Sequence, residues 1–566
     1  MRGERQANRR IRLLLAVFVL VFAGTLARAV WLQGVQASSL GKLAERQHHE
    51  SITIPAGRGT IFDSGGLQLA IGEQTTTIYG DPHQITNARS IATAAERFLG
   101  VDANALYPQL LDRKSGFVYI KRFADPKEAE PFLKRGFAGV NSYPEEKRAY
   151  PQMSVASQVI GFAGTDNKGL AGLEVAYDKS LSGKPGRQTI VRDPFGRAID
   201  VVSTTPEHQG HPIFTTIDSK IQANAEQVLR DTVRQWHAKS ATAIVLDPHT
   251  GGVLAMAQAP GYNANNASRV PQALQTNHAV TDVFEPGSVF KLVTVAGALT
   301  DGLVTPDTSF TLAPCIQVAD KCIHDAENRG TETLTVAKIL SHSSNVGAIT
   351  IAEKLGASQL VHWIEKFGFG KPTGLDFPGE SGGIVPSYPD QWSGTTIGNV
   401  PIGQGIAVTP IQIAAAYAAI ANDGVWIQPH LVEKVGGRTL HDFKHHRVVS
   451  PAVNEELKTM LTGVVDEHGA TGNAAQISGY TVAGKTGTAQ IPGPHGYTTG
   501  KYVASFVGMV PVKHPRLLVL VSVDEPRSAI FGGVVAAPAF AQIAKFDLQY
   551  LSVPPDAPVG TATTTG

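Results

Sequence analysis

Five arginines, Arg2, Arg5, Arg9, Arg10 and Arg12, stand directly before the apolar run LLLAVFVLVFAGTLARAVWL, Leu13 to Leu32. As a helix that run spans about 30 Å, the thickness of a bilayer's hydrocarbon core. The chain holds no second apolar stretch of about 18 residues, so it crosses a membrane once at most. Arg28, near the far end, can snorkel, and Trp31 suits an interface. The arginine cluster keeps residues 1–12 in the cytoplasm and puts everything beyond Leu32 on the outer side. A cleaved signal peptide is the rival reading, because Ala27-Arg28-Ala29 resembles a cleavage site. We read the run as an uncleaved anchor; on either reading the bulk of the chain is exported.

With 566 residues the chain is long enough for two or three domains, each with a core of its own. A formal net charge of +1 offers no basic excess for nucleic acid, which is not expected as a partner. Cys315 and Cys322 are the only cysteines. In an oxidising compartment they can close a small disulfide or remain two loop thiols, and the sequence does not choose between them. With His324 they would make a poor zinc site, short of ligands and prone to oxidation, so no metal is expected.

Past residue 50, SITIPAGRGTIFDSGGLQLAIG predicts a hairpin that turns at Gly65-Gly66 after Asp63. Mixed helix and loop follow to about residue 150. HPIFTTIDSKIQANAEQVLRDTVRQW predicts a short strand and then a helix with Asp218 as its N-cap. SATAIVLDPHTGGVLAMAQAP predicts strand, tight turn and strand; YTVAGKTGTAQI, YVASFVGMVPV and RLLVLVSVDEP predict three more strands. From Ser288 to Asp466 the sequence is mainly helical. Strands, helices and strands again imply an α+β domain whose single antiparallel sheet is assembled from both ends and flanked by helices. The stretch SVPPDAPVGTATTTG after Leu551 is expected to be disordered.

TDVFEPGSVFKLVTVAGAL places Ser288 and Lys291 just after Pro286-Gly287, at the start of an apolar helix, where residues three apart share a face. A serine hydroxyl needs a base, and a lysine kept neutral by burial or a nearby cation can be one. The helix start adds free N–H groups suited to a developing oxyanion. S-x-x-K alone is a weak signal: Ser39-Leu40-Gly41-Lys42 is a second copy that reads as a solvated face. The motif's company decides. SHSSNVG supplies Ser343 and Asn345, and VAGKTGTAQ supplies Lys485, Thr486, Gly487 and Thr488 on a predicted strand. In this order they form the S-x-x-K, S-x-N, K-T-G set associated with penicillin-recognising serine enzymes. Ser343 can relay a proton, Asn345 can hold a substrate amide, and Lys485 can attract a carboxylate while disfavouring protonation of Lys291. Gly487 permits close backbone approach to an extended acyl peptide. Plainer readings hold elsewhere: Glu174 as a structural ion pair, His48-His49 and His445-His446 as solvated, and Asp466-Glu467-His468 as a loop.

Nearly the whole chain after the anchor resembles the class B penicillin-binding proteins, peptidoglycan transpeptidases carried on a membrane-anchored pedestal. GRGTIFDSGGLQLA is similar to that family's R-G-x-I-x-D-R-N-G-x-x-L-A segment, with Ser64-Gly65 in place of Arg-Asn. RAYPQMSVASQVIGFAG, GLAGLEVAYDKSLSG, LTGVVDEHGATGNAA and PIGQGIAVTPIQIAAAYAAIANDG carry the likeness further. PGYNANNAS with NHAVTDVFEPGSVFK, and AGKTGTAQ with YVASFVGMVPV, resemble the division-type, FtsI-type branch. The resemblance implies a cytoplasmic tail over 1–12, an anchor over 13–32, a non-catalytic, dimerisation-like pedestal over 33–212, a transpeptidase domain over 213–552 and a tail over 553–566. It implies a bacterial cell membrane as the location.

The resemblance also implies the chemistry. Ser288 would be acylated by the penultimate D-Ala of a stem peptide, releasing the terminal D-Ala, and an amine of a neighbouring strand would resolve the acyl-enzyme. Lys291, Ser343, Asn345 and Lys485 would complete the catalytic set. Backbone N–H groups of Ser288 and Thr488 would form the oxyanion hole, and Thr486, Gly487 and Thr488 would bind substrate or a β-lactam. No cofactor is implied; an FtsW-type glycosyltransferase is the implied membrane partner. Alternatives are an elongation- or sporulation-type transpeptidase, a D,D-carboxypeptidase and a catalytically silent division scaffold. A β-lactamase is disfavoured, because no E-x-x-L-N segment lies between Asn345 and Lys485.

Overall fold

Leu517 to Val523 are apolar at nearly every position, the pattern of a strand buried on both faces. In the computed structural model, which describes residues 2–36, 49–192, 198–493 and 496–558, that run is the centre of a five-stranded antiparallel sheet. Its strands are β1 (Ser240–Leu246), β2 (Val253–Ala259), β3 (Ala483–Gly493), β4 (Gly496–Val510) and β5 (Leu517–Asp524). Their order is β2-β1-β5-β4-β3, so the sheet is assembled from both ends of the domain, as the strand pattern predicts. The K-T-G segment lies on an edge strand.

Period-two alternation sends side chains to two cores. Ala243, Val245, Val519 and Val521 enter one, shared with helix α1 (Ser219–Trp236). Ile244, Leu246, Leu518 and Leu520 enter the other, with helix α2 (Lys291–Thr300). Further on come α3 (Asn345–Leu355), α4 (Pro410–Ala421) and α5 (Pro451–Asp466). The last, α6 (Ala537–Tyr550), joins α1 in the first core. Asp218 caps α1 as expected, accepting from the N–H groups of Lys220 and Ile221. A capping box of Thr409 and Gln412 starts α4.

Two compact units make up the chain: one formed by residues up to 57 with 183–209, the other by 58–182 with 210–566. The first contains the N-terminal helix Arg2–Val30 and a three-stranded antiparallel sheet of His49–Ile54, Gly186–Arg192 and Ala198–Thr205. Over Ala7–Val35 its helical segment is long and apolar enough to cross a membrane. Ser39-Lys42 and His48 lie outside the described residues.

The second unit crosses the expected boundary between residues 212 and 213. Ile61–Phe62 pairs in parallel with Ile213–Thr215, within a sheet that runs on to Gln68–Gly80 and Val118–Ala124. Asp63 accepts the Ser219 hydroxyl at 2.6 Å, and Glu226 accepts the Ala156 N–H at 2.8 Å. The expected hairpin is present, with Ile61–Phe62 antiparallel to Gln68–Gly80. The mixed helix and loop expected up to residue 150 also contains two strands, Val118–Ala124 and Val140–Ala149. The second, VNSYPEEKRA, is half-exposed and charged, so it carries no clean alternation. Glu174 is wholly buried between Arg58 and Arg148, each with its Nε at 2.6 Å, so the structural ion pair holds.

Two departures concern the mainly helical stretch and the tail. Ser309–Leu312 pairs with Glu332–Thr335, and Cys315–Val318 with Lys321–His324; strands of four residues are too short to show a period. Cys315 and Cys322 are joined in a disulfide, which leaves His324 as the one free donor of that trio. At the C-terminus, part of the expected disordered tail is held. Tyr480 Oη donates to the Val553 carbonyl at 2.7 Å, and the Thr481 N–H donates to Asp556 at 2.8 Å. Residues 559–566 lie outside the described residues.

Candidate active site

The turn that carries Ser288 is fixed by backbone contacts that only glycine allows. Gly287 has φ +57°, and a Cβ on it would sit 3.0 Å from the Thr488 carbonyl oxygen. Its N–H donates to the Gly403 carbonyl at 3.0 Å, and a Cβ on Gly403 would lie 2.1 Å from the Gly287 oxygen. Gly287–Phe290 forms one 3-10 turn, and α2 begins at Lys291. Ser288 therefore stands at the entry of the helix, as the sequence implied. Tyr417 Oη donates to the Val289 carbonyl at 2.7 Å, tying the turn to α4. Glu285, just ahead of it, accepts the Gly405 N–H and the Tyr497 hydroxyl, both at 2.9 Å.

Lys291 is 1% exposed, and its Nζ reaches the Ser343 carbonyl at 2.6 Å, Ser343 Oγ at 3.2 Å and Asn345 Oδ1 at 2.8 Å. Burial holds its pKa well below the usual lysine value; the cations Lys485 and Arg329 push the same way and Asp325 opposes them. Among the described residues Lys291 has no salt-bridge partner. Ser343 has φ +57°, an unfavourable conformation for a serine, and strain of this kind clusters at functional sites. Ser344 caps α3 by accepting the Gly347 N–H at 3.0 Å.

Lys485 is fully buried on β3, and burial lowers its pKa to about 7. At Gly487 a Cβ would meet Ser505 Oγ at 2.3 Å and the Pro286 oxygen at 3.1 Å, so glycine lets β3 lie against the serine's turn. The Thr486 hydroxyl donates to Thr471 Oγ1 at 2.8 Å. Thr488 Oγ1 accepts the Gly532 N–H at 3.1 Å, leaving its own hydroxyl hydrogen free to donate.

These residues meet at one cleft of about 790 Å³, lined by Ser288, Ser343, Asn345, Thr486 and Thr488. Lys291 reaches it through Ser343, Lys485 is close enough to act on the charge of Lys291, and Gly487 packs the strand against the serine's turn. All eight site residues read from the sequence are brought together. Asp325, Arg329, Thr471 and Phe531 also line the cleft, and no short sequence pattern marks them. Asp325 and Arg329 follow the disulfide hairpin, in a stretch with no periodic signal. Thr471 sits in GATGN, a segment that carries the family likeness but no catalytic pattern of its own. Phe531 is half-exposed just ahead of the short helix Gly532–Val535, and no sequence pattern marks it.

A serine at a helix entry, a buried lysine, an S-x-N turn and a K-T-G edge strand around one cleft define an acyl-transferring serine enzyme of the penicillin-recognising class. Comparison with known proteins narrows this. Residues 241–545 match the penicillin binding protein transpeptidase domain, and residues 53–215 match the penicillin-binding protein dimerisation domain. The chain is 33% identical over 568 residues to the peptidoglycan D,D-transpeptidase FtsI of Escherichia coli, covering 98% of this chain and 95% of that one. Among solved structures, penicillin-binding protein 3 of Mycobacterium tuberculosis in complex with aztreonam superposes with a TM-score of 0.70 at 29% identity, over 90% of this chain and 99% of that one. A peptidoglycan synthetase of Bifidobacterium adolescentis gives 0.73 at 28% identity, over 91% and 99%.

The chain belongs to the class B penicillin-binding proteins of the division type. It is a serine-type peptidoglycan D,D-transpeptidase, and its N-terminal apolar helix makes it membrane-anchored.

Proposed function

We propose that Ser288 is the nucleophile and Lys291 its base. The buried amine of Lys291, without a salt-bridge partner among the described residues, carries this reading. As a neutral amine it has two N–H donors, which match the Ser343 carbonyl and Asn345 Oδ1, and one lone pair. That lone pair can accept a proton from Ser288 or from Ser343 Oγ. Attack of Ser288 Oγ on the penultimate D-Ala carbonyl forms the tetrahedral intermediate, with its oxyanion held by the backbone N–H groups of Ser288 and Thr488. The proton taken by Lys291 passes through Ser343 to the departing D-Ala amine. The donor peptide lies along the edge of β3, and Asn345 holds one of its amides. Thr488 donates to the terminal carboxylate, Lys485 draws it in, and the Thr486 hydroxyl hands the donor role to Thr471. An acceptor amine then attacks the ester and releases Ser288.

Division of labour along the chain follows the same reading: pedestal over 33–212, transpeptidase over 213–552, anchor over 13–32 with the N-terminus in the cytoplasm. The β-lactams aztreonam and ampicillin, named in complexes of the Mycobacterium tuberculosis relative, would acylate Ser288 in place of substrate. An FtsW-type glycosyltransferase supplies the glycan strands. The test is turnover of a stem peptide ending in D-Ala-D-Ala with and without an acceptor amine, using the full chain in detergent. Cross-linked product that grows with acceptor supports transpeptidation; D-Ala release indifferent to acceptor marks a carboxypeptidase. Lys291→Ala should lower acylation by about 100-fold or more.

A further inference from the structure

The disulfide hairpin stands beside the S-x-N turn, and the chain leaving it enters the cleft. Ile316, Val318 and Ile323 of the hairpin pack with Ala348 and Ile349 of α3. Directly beyond Cys322, the His324 carbonyl accepts Asn345 Nδ2 at 3.0 Å. One carboxylate oxygen of Asp325 accepts the Ser344 hydroxyl at 3.1 Å, the Val346 N–H at 2.9 Å and the Asn345 N–H. Asp325 thus takes up free N–H groups at the start of α3 from another segment of the chain, with a negative charge that suits the positive end of a helix. Both the backbone and the amide of Asn345 are held from this segment, and Asn345 in turn holds Lys291.

Charged groups acting on Lys291 come from two directions. Lys485 lies on β3, while Asp325 and Arg329 lie on the segment after the hairpin. Arg329 is paired with Glu327 at 3.2 Å and Glu332 at 3.4 Å. Asp325 is thus the anion set against two cations.

We propose that Asp325 is a positioning residue for acylation, delivered by the Cys315–Cys322 hairpin, that seats Asn345 and through it Lys291. The proposal rests on Lys291 acting as the base. Asp325→Asn keeps an acceptor oxygen for α3 but removes the charge, so the two contributions separate.

The measurement is the second-order rate of acylation by a fluorescent penicillin against pH, on the full chain in detergent. In Asp325→Asn the acid limb should move to lower pH, because Lys291 without its nearby anion gives up its proton more readily. In Asp325→Ala, which loses the cap as well, the rate should fall about tenfold or more across the range. Replacing both cysteines by serine should lower the rate in the same sense, and adding Asp325→Ala to that variant should lower it less than it does alone. An Asp325→Asn profile that superimposes on the parent overturns the proposal, as does full additivity of the cysteine and Asp325→Ala changes. Lys291→Ala separates the two levels. Acylation at the parent rate there defeats the base assignment itself. A dead Lys291→Ala beside an unmoved Asp325→Asn defeats this inference alone.

Discussion

Asp547 lies wholly buried in α6, and among the described residues neither of its carboxylate oxygens has a hydrogen-bond partner. Burial, with help from Asp218, raises its pKa from 3.8 to about 8, so at neutral pH the folded chain keeps a proton that the unfolded chain releases. The folded state then binds more protons than the unfolded one, and stability falls as pH rises between those two values. Asp547→Asn should therefore stabilise the protein by about 2 to 4 kcal/mol near pH 7.5 and by little near pH 4. Denaturant melts at the two pH values check this, and an equal effect at both would contradict it. Ser288, Lys291, Ser343, Asn345 and the K-T-G residues could be read from the sequence because each belongs to a short local pattern. Asp547 and Asp325 could not. Their environments are set by segments distant in sequence, and a lone aspartate carries no local mark of burial or of the helix it caps.

At the scale of elements, the β3–β4 hairpin reaches past the sheet: β5 pairs with β4 only from Val503 onward. Beyond that point the hairpin is held by its own ladder, by the Tyr497 hydroxyl on Glu285, by the Glu525 N–H on the Tyr502 carbonyl at 2.9 Å and by the Lys501–Glu525 ion pair at 2.7 Å. Tyr497→Phe should leave the melting of the whole chain within about 1 kcal/mol of the parent. Hydrogen exchange should quicken in Gln490–Gly493 and Gly496–Tyr502, with α4 and β5 unchanged. Unaltered exchange in the hairpin would show that the tie does not hold it. The five strands of the catalytic sheet were legible, since long apolar or alternating runs bounded by turn residues leave a period. The four-residue strands around the disulfide left none, and neither did the charged strand Val140–Ala149, whose pairing is decided by its partner strand.

For the whole molecule, the expected division between residues 212 and 213 follows the sequence likeness, whereas the packing follows a sheet shared across it. A cut at that point would separate Ile61–Phe62 from Ile213–Thr215 and leave Asp63 without Ser219. Fragments split there should fail to melt cooperatively on their own; two independent cooperative transitions would contradict the shared sheet. The partner assignment belongs to this scale too. Exchanging residues 1–50 for an unrelated single-pass anchor should abolish co-purification with an FtsW-type glycosyltransferase while penicillin acylation persists. Retention of the complex would place the contact elsewhere.

The central claim is that Ser288 forms the acyl-enzyme. Its most direct test is mass spectrometry of the full chain after incubation with a penicillin, beside Ser288→Ala. The account predicts one stable adduct, mapped to the peptide containing Ser288 and missing from the variant. An adduct on another serine, or one that the Ser288→Ala chain still forms, would contradict it.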